Sequence, residues 1–189
     1  MKRARPFWIP ERTPVFVGCE GQSEVGYAGV LQNMVRESGL PFHLHIHDLG
    51  QGAGDPCARM QLTLQRLSVL KRTRVEPKHR FVFLDNDRNA LIPERVKLAE
   101  TLAQQNNITI IWQEPCFEAV LLRHLPALQG NRPPDTQAAL QALTRAWPNY
   151  QKPMSSASLM QRIDRAAISR IATVEPDLQA LFTLVGLYP

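Results

Sequence analysis

Cysteine is scarce in this sequence. Cys19, Cys57 and Cys116 are the three present, and none pairs with another at a zinc-like spacing, which points to a reducing cytoplasm. No stretch approaches about 18 uninterrupted apolar residues, so there is no transmembrane helix to read and no membrane partner is expected. The start, Met1-Lys2-Arg3-Ala4-Arg5-Pro6, is basic, but no apolar core follows it, and a secretory signal is not expected. Internal repeats and low-complexity tracts are absent. Gly50-Gln51-Gly52-Ala53-Gly54 lacks the terminal Lys-Ser/Thr of a phosphate-binding P-loop and does not follow a dinucleotide-binding pattern.

What is present suffices for one folded unit. The 189 residues can bury a sizeable core, and the net charge of +5 allows an anionic partner such as nucleic acid. The centre of the chain is Phe81-Val82-Phe83-Leu84-Asp85-Asn86-Asp87. A continuous apolar run predicts a strand buried on both faces, as in a parallel sheet. Asp85 and Asp87 then fall at its C-terminal end, where open α/β sheets place their ligands. Two carboxylates so close repel unless a cation lies between them, and hard oxygen ligands suit Mg2+ or Mn2+. The plainer alternative is a helix-capping aspartate followed by a turn aspartate.

Taken in order, residues 1–13 read as a basic arm without periodicity. Val15–Cys19 is a short apolar strand. Gly21 serves a sharp turn and Ser23 an N-cap, before a helix with Tyr27, Leu31 and Met34 on one face that closes at Gly39. Phe42, Leu44 and Ile46 alternate with His43, His45 and His47, a period-2 strand. Its histidines are either a zinc face or the polar face of a strand near the sheet edge. Asp55-Pro56 opens a second helix, Pro93 a third, and Ile108–Trp112 forms a fourth strand. Gln113 to Glu118 leads into an apolar helix ending at Leu125. Helical patterns follow at about 135–146, 156–172 and 177–187. The alternation predicts an α/β fold: a four-stranded parallel sheet with helices on both faces over 14–128, and a helical extension over 129–189.

In such a sheet the loops after the strands share one edge, which gathers Glu20, Asp85, Asp87 and Glu118. If the first and third strands are neighbours, Glu20 faces the aspartates across one inter-strand spacing of about 4.8 Å. Glu24 lies one helical turn beyond Glu20. It is either a further ligand or a first-turn carboxylate favoured by the helix dipole, and Glu118 carries the same ambiguity. Lys71, Arg72, Arg74, Lys78, His79 and Arg80 crowd together as a phosphate-backbone contact or as a solvated helix end. Lys152 is a candidate to stabilise charge on phosphorus, or a surface lysine in a loop.

Cys19-Glu20-Gly21-Gln22-Ser23-Glu24-x-x-Tyr27, Phe83-Leu84-Asp85-Asn86-Asp87 and Glu114-Pro115-Cys116-Phe117-Glu118 stand in that order. The first two resemble the Toprim domain of topoisomerases, primases and OLD-type nucleases. With the third piece, with Leu121-Leu122-x-His124 and with Tyr150-Gln151-Lys152, the chain over about 14–172 resembles the RloB family of small bacterial Toprim proteins. Ala119-Val120 stand where the family often has an aromatic residue, and the loop after Asp87 is shorter and less acidic than the family pattern. The resemblance implies a Toprim-like Rossmannoid fold in which Glu20, Asp85 and Asp87 hold Mg2+ or Mn2+. It also implies catalytic roles for these three together with Glu24 and Glu118.

The expected function is therefore a metal-dependent nuclease cutting DNA or RNA phosphodiesters in bacterial anti-phage defence, beside an ATPase or restriction-system partner. Lys71, Arg72, Arg74, Lys78, Arg80 and Lys152 would contact nucleic acid. Two alternatives stand beside it. One is a non-catalytic nucleic-acid-binding or regulatory subunit, against which the cost of gathering three carboxylates argues. The other is a DxD phosphatase, whose DxD motif belongs after the first strand rather than the third, with Thr or Val where this chain has Asn89.

Overall fold

The computed structural model describes residues 11–50, 55–86 and 92–189. Most of the basic arm, most of the glycine-rich loop, Asp87 and Asn89 lie outside the described residues. The element order is β1 (Thr13–Cys19), α1 (Gln22–Glu37), β2 (Phe42–Asp48), α2 (Pro56–Arg72), β3 (His79–Asp85), α3 (Pro93–Gln105) and β4 (Thr109–Gln113). After them come α4 (Phe117–His124), α5 (Thr136–Ala146), α6 (Ser156–Leu159), α7 (Arg165–Ala172) and α8 (Pro176–Leu184). The chain is α/β, and its four strands form one all-parallel sheet in the order β2-β1-β3-β4.

Side-chain alternation explains why the strands read as unbroken apolar runs. Val15, Val17, Cys19, Phe81, Phe83 and Ile111 point into a core shared with α1, α4, α5, α7 and α8. Phe16, Val82, Leu84 and Ile110 point the other way, into a smaller core with Met60 of α2 and with Ala99 and Ala103 of α3. Both faces of β1 and β3 are thus covered.

The order places a switch point between β1 and β3. From β1 the chain crosses over α1 on one face to β2, and from β3 it crosses over α3 on the opposite face to β4. The helices that follow β1 and β3 lie on opposite faces, and a crevice lined by Glu20, Glu24 and Asp85 opens at the C-terminal edge.

Several local readings differ in detail. Gly21, not Ser23, is the N-cap of α1, and Ser23 is buried inside the first turn. Gly21 has an extended backbone, with φ −152° and ψ −179°, so a left-handed turn is not its reason. A Cβ there would press on Glu24 Oε2 at 3.3 Å. Gly39, at φ +64°, does occupy the left-handed position after the helix. The pattern over 156–172 is two helices, because Asp164 caps a new one by accepting from the Ala167 amide at 2.7 Å. The histidine strand is the sheet edge, and His47 stacks on Phe16 with ring centroids 4.9 Å apart.

Buried polar contacts tie α4 to α1 and the extension to α4. His124 Nδ1 donates to the Val120 carbonyl at 2.9 Å, which leaves Nε2 to accept from the Tyr27 hydroxyl at 3.0 Å. Burial pushes this imidazole's pKa down to about 4. The fully buried Arg123 pairs with Glu175, the N-cap of α8, at 2.6 Å, and donates to the Glu114 carbonyl at 3.0 Å. The segment before α6 lies directly on α1 at Gly26, where a Cβ would collide with the Met154 carbonyl oxygen.

Gly26 supplies a test of that close approach. At an unconstrained helix position, Gly→Ala stabilises by roughly 1 kcal/mol. Here Gly26→Ala should instead destabilise, by about 2 kcal/mol, because backbone must move to admit the methyl. Chemical denaturation measures the sign. A gain in stability would show that the Met154 segment yields freely.

Candidate active site at the carboxyl edge of the sheet

The crevice between β1 and β3 collects acidic side chains. Glu20 follows β1 directly, and its Oε2 accepts the Asp85 backbone amide at 2.9 Å. This bond spans the two neighbouring strands, as their adjacency requires. Asp85 ends β3, and its Oδ1 accepts from the amide of Phe117, the first residue of α4, at 3.0 Å. The N-cap residue Cys116 offers no side-chain bond, so the aspartate from the strand caps the helix instead. Gln113, fully buried at the end of β4, completes the group. With its amide nitrogen turned toward the carboxylates it donates to Asp85 Oδ1 at 2.9 Å and to Glu24 Oε1 at 3.3 Å.

Glu24 and Glu118 resolve differently. Glu24, in the first turn of α1, lines a cavity of about 420 Å3 together with Glu20, Arg59, Asp85 and Lys152. Glu118, 2% exposed, is held through Oε1 by the Lys152 ammonium at 2.8 Å and by the Tyr150 hydroxyl at 3.0 Å. Lys152 is thus a wall of the cavity, delivered by the extension between α5 and α6. Arg59 reaches in from α2, its Nε 3.8 Å from Glu20 Oε1 and its Nη1 donating to the Leu49 carbonyl at 2.8 Å.

No family model, no curated protein and no solved structure matches this chain. The site is therefore read from its own chemistry.

Electrostatics separates the carboxyls. Burial, then the charges of Glu24, Glu20 and Glu118, raise the pKa of Asp85 well above the usual carboxylate range, with Lys152 opposing. Glu24 is raised to about 7, chiefly by burial. Burial also acts to raise Glu118, but the Lys152 ammonium and the Tyr150 hydroxyl outweigh it and its pKa is lowered. Glu118 is therefore the ionised partner of a salt bridge, whereas the pKa values of Glu24 and Asp85 are raised by burial and by the charges of neighbouring carboxylates.

The donor set is hard oxygen, which suits Mg2+ or Mn2+. Among the described residues, however, no three His, Cys, Asp or Glu side chains are grouped to hold a metal ion. Asp87, one of the three ligands the sequence points to, lies outside those residues.

The basic cluster lies elsewhere. Lys71 and Arg72 end α2, Arg74 and Lys78 are exposed in the following loop, and Arg80 is near the start of β3. That is the opposite edge of the sheet from Asp85, about 20 Å away along β3 at roughly 3.3 Å per residue. Arg80 is engaged locally, donating to the Pro77 carbonyl at 3.0 Å and the Asn106 carbonyl at 2.7 Å. Lys71 lies 3.9 Å from Glu76. Sequence reasoning does not single out Gln113, Arg59 or Tyr150 for the site.

The raised Glu24 carboxyl has a stability consequence whose sign is fixed. The folded state binds this proton more tightly than the unfolded chain, so the associated stability is present at low pH and is lost as pH rises from about 4.5 to about 7. In EDTA, Glu24→Gln should match the wild type near pH 4 and exceed it by about 3 kcal/mol near pH 8. Denaturant titrations across pH measure the difference. A gap independent of pH would show that Glu24 ionises normally.

Proposed function

We propose that this protein is a metal-dependent nuclease that cleaves phosphodiester bonds of DNA or RNA, of the Toprim type and RloB-like. The observation that carries the reading is the Glu20–Asp85 contact across the β1/β3 switch point, in a cavity that also holds Glu24 and two cations. Glu20 and Asp85, with Asp87, would hold Mg2+ or Mn2+. Such an ion neutralises charge on phosphate oxygens and activates water.

The protein's own groups set the rest. The Phe117 amide and Gln113 fix Asp85 Oδ1, so this carboxylate is oriented before any ligand arrives. Lys152 presents positive charge to a phosphate over the cavity, and Glu118 with Tyr150 anchors it there. Arg59 offers a second cation on the facing wall. The cluster at 71–80 is too distant for the same phosphate and acts on a remote stretch of a long strand. The family resemblance extends the reading to a cytoplasmic role in bacterial anti-phage defence with an ATPase or restriction partner. Among the described residues no helix is long and apolar enough to cross a membrane.

Purified protein incubated with plasmid, single-stranded DNA and tRNA, with Mg2+, Mn2+ or EDTA, tests the activity. Asp85→Asn should abolish metal-dependent cutting while retaining binding, since an asparagine oxygen can still accept the Phe117 amide. Undiminished cutting by this variant removes the assignment. Binding without cutting by the wild type under every condition would favour the non-catalytic subunit. Hydrolysis of para-nitrophenyl phosphate alone would favour the phosphatase.

The two basic regions separate by substrate length. Arg74→Glu with Lys78→Glu should weaken binding of long nucleic acid and make its salt dependence shallower, by about 0.9 in log–log slope for each phosphate that is no longer neutralised. Cleavage of short oligonucleotides should be unaffected. Equal weakening on short and long substrates would place these side chains at the scissile phosphate.

A further inference from the structure

A second depression, of about 590 Å3, adjoins the carboxylate cavity, and the two share Gln22 and Pro153. Its walls are of another character. Val25, Ile46 and Met154 give it an apolar surface, and Ser155 and Ser156 line it from the extension. Its lining residues carry no formal charge, in contrast to the carboxyl and basic side chains next door. The backbone of α1 forms part of the wall, because Gly26 and Gly29 let the 154–156 segment come against the helix.

We propose that this depression is the subsite for the nucleoside flanking the scissile phosphate, its base and sugar lying here while the phosphate sits over the carboxylates. The inference rests on the nuclease reading for the identity of its neighbour and deepens it by naming what fills the adjoining space. Three observations support it. The two depressions are adjacent across Gln22 and Pro153, as the sites of a phosphate and its own nucleoside must be. The volume lies within the roughly 300–1,000 Å3 that organic ligands occupy. The chemistry suits a base: a thioether and aliphatic side chains contact a π-face favourably and without sequence preference, whereas an uncharged wall offers a second phosphate nothing. Gln22, at the seam, has its Nε2 engaged with Asp48, which leaves its carbonyl oxygen to accept from a base or sugar donor.

Thymidine 5′-monophosphate and uridine 5′-monophosphate are suitable probes, since neither contains a phosphodiester to be cut. Inorganic phosphate is the control, and calorimetry gives the affinities. Ile46→Trp narrows the depression and Met154→Ala removes its thioether. Met154→Ala, through loss of one apolar contact surface, and Ile46→Trp, through occupied space, should each weaken both nucleotides about tenfold and leave phosphate affinity unchanged. Circular dichroism and melting confirm folding, and Met154→Ala carries the test if the larger residue is not accommodated.

Nucleotides that bind the wild type no better than phosphate, or that bind both variants as they bind the wild type, overturn the subsite. The two readings fail separately. A protein that cuts nucleic acid yet shows variant-independent nucleotide binding retains the nuclease and loses the subsite. One that cuts nothing, yet loses nucleotide affinity in the variants, retains the subsite and loses the nuclease.

Discussion

Glu20 accepting the Asp85 amide is the contact on which the rest of the carboxyl edge depends. It joins the ends of two strands whose following helices depart on opposite faces of the sheet, and it brings two acidic residues into one cavity. Like charges about 4 Å apart cost a few kcal/mol at the effective dielectric of a protein surface. The fold offsets this with the Phe117 amide at a helix N-terminus, with the Gln113 amide, and with the Lys152 ammonium. Burial, with what these do not offset, appears as raised pKa values at Glu24 and Asp85.

The helical extension belongs to this account. Its buried side chains share one core with β1, β3 and α1, so it covers a sheet face that would otherwise be exposed. Between α5 and α6 it also sends Tyr150 and Lys152 back to Glu118. Cover and carboxyl edge are thereby coupled. Displacing the 150–156 segment removes a cation from the carboxylate cavity and opens the apolar depression at the same time.

Much of the architecture was legible because its causes are local. Phe81–Leu84 and Val15–Cys19 are buried on both faces, and short, β-branched or aromatic apolar runs of this length suit an interior parallel strand. Neighbouring of β1 and β3 was a condition the sequence could pose but not decide, since strand order depends on which face each crossover takes. Glu24 and Glu118 stayed ambiguous because a first-turn carboxylate is favoured whether or not it has a ligand. Only the contact with Lys152, from a residue 34 positions later, tells Glu118 apart. Gln113 and Arg59 gave no signal, as a glutamine ending a strand and an arginine within a helix are ordinary. The position of the 71–80 cluster had a signal: residues that precede a strand lie at the edge opposite those that follow it.

That opposition shapes how an anion would approach. The protein carries a net +5, yet its carboxyl edge is acidic and an exposed basic group lies about 20 Å away at the other end of β3. Over a Debye length of about 10 Å the two ends act almost independently. The basic end attracts a polyanion, while the acidic cavity by itself repels it. For a phosphate to rest over Glu20 and Asp85 the local sign must be reversed, and Lys152 and Arg59 supply only two positive charges, each already turned toward a carboxylate. On the nuclease reading proposed above, a divalent cation would supply the remainder. Under that proposal, electrostatic balance and donor chemistry would call for the same component by separate routes, one from the charge of a phosphate substrate and one from the oxygens of the site.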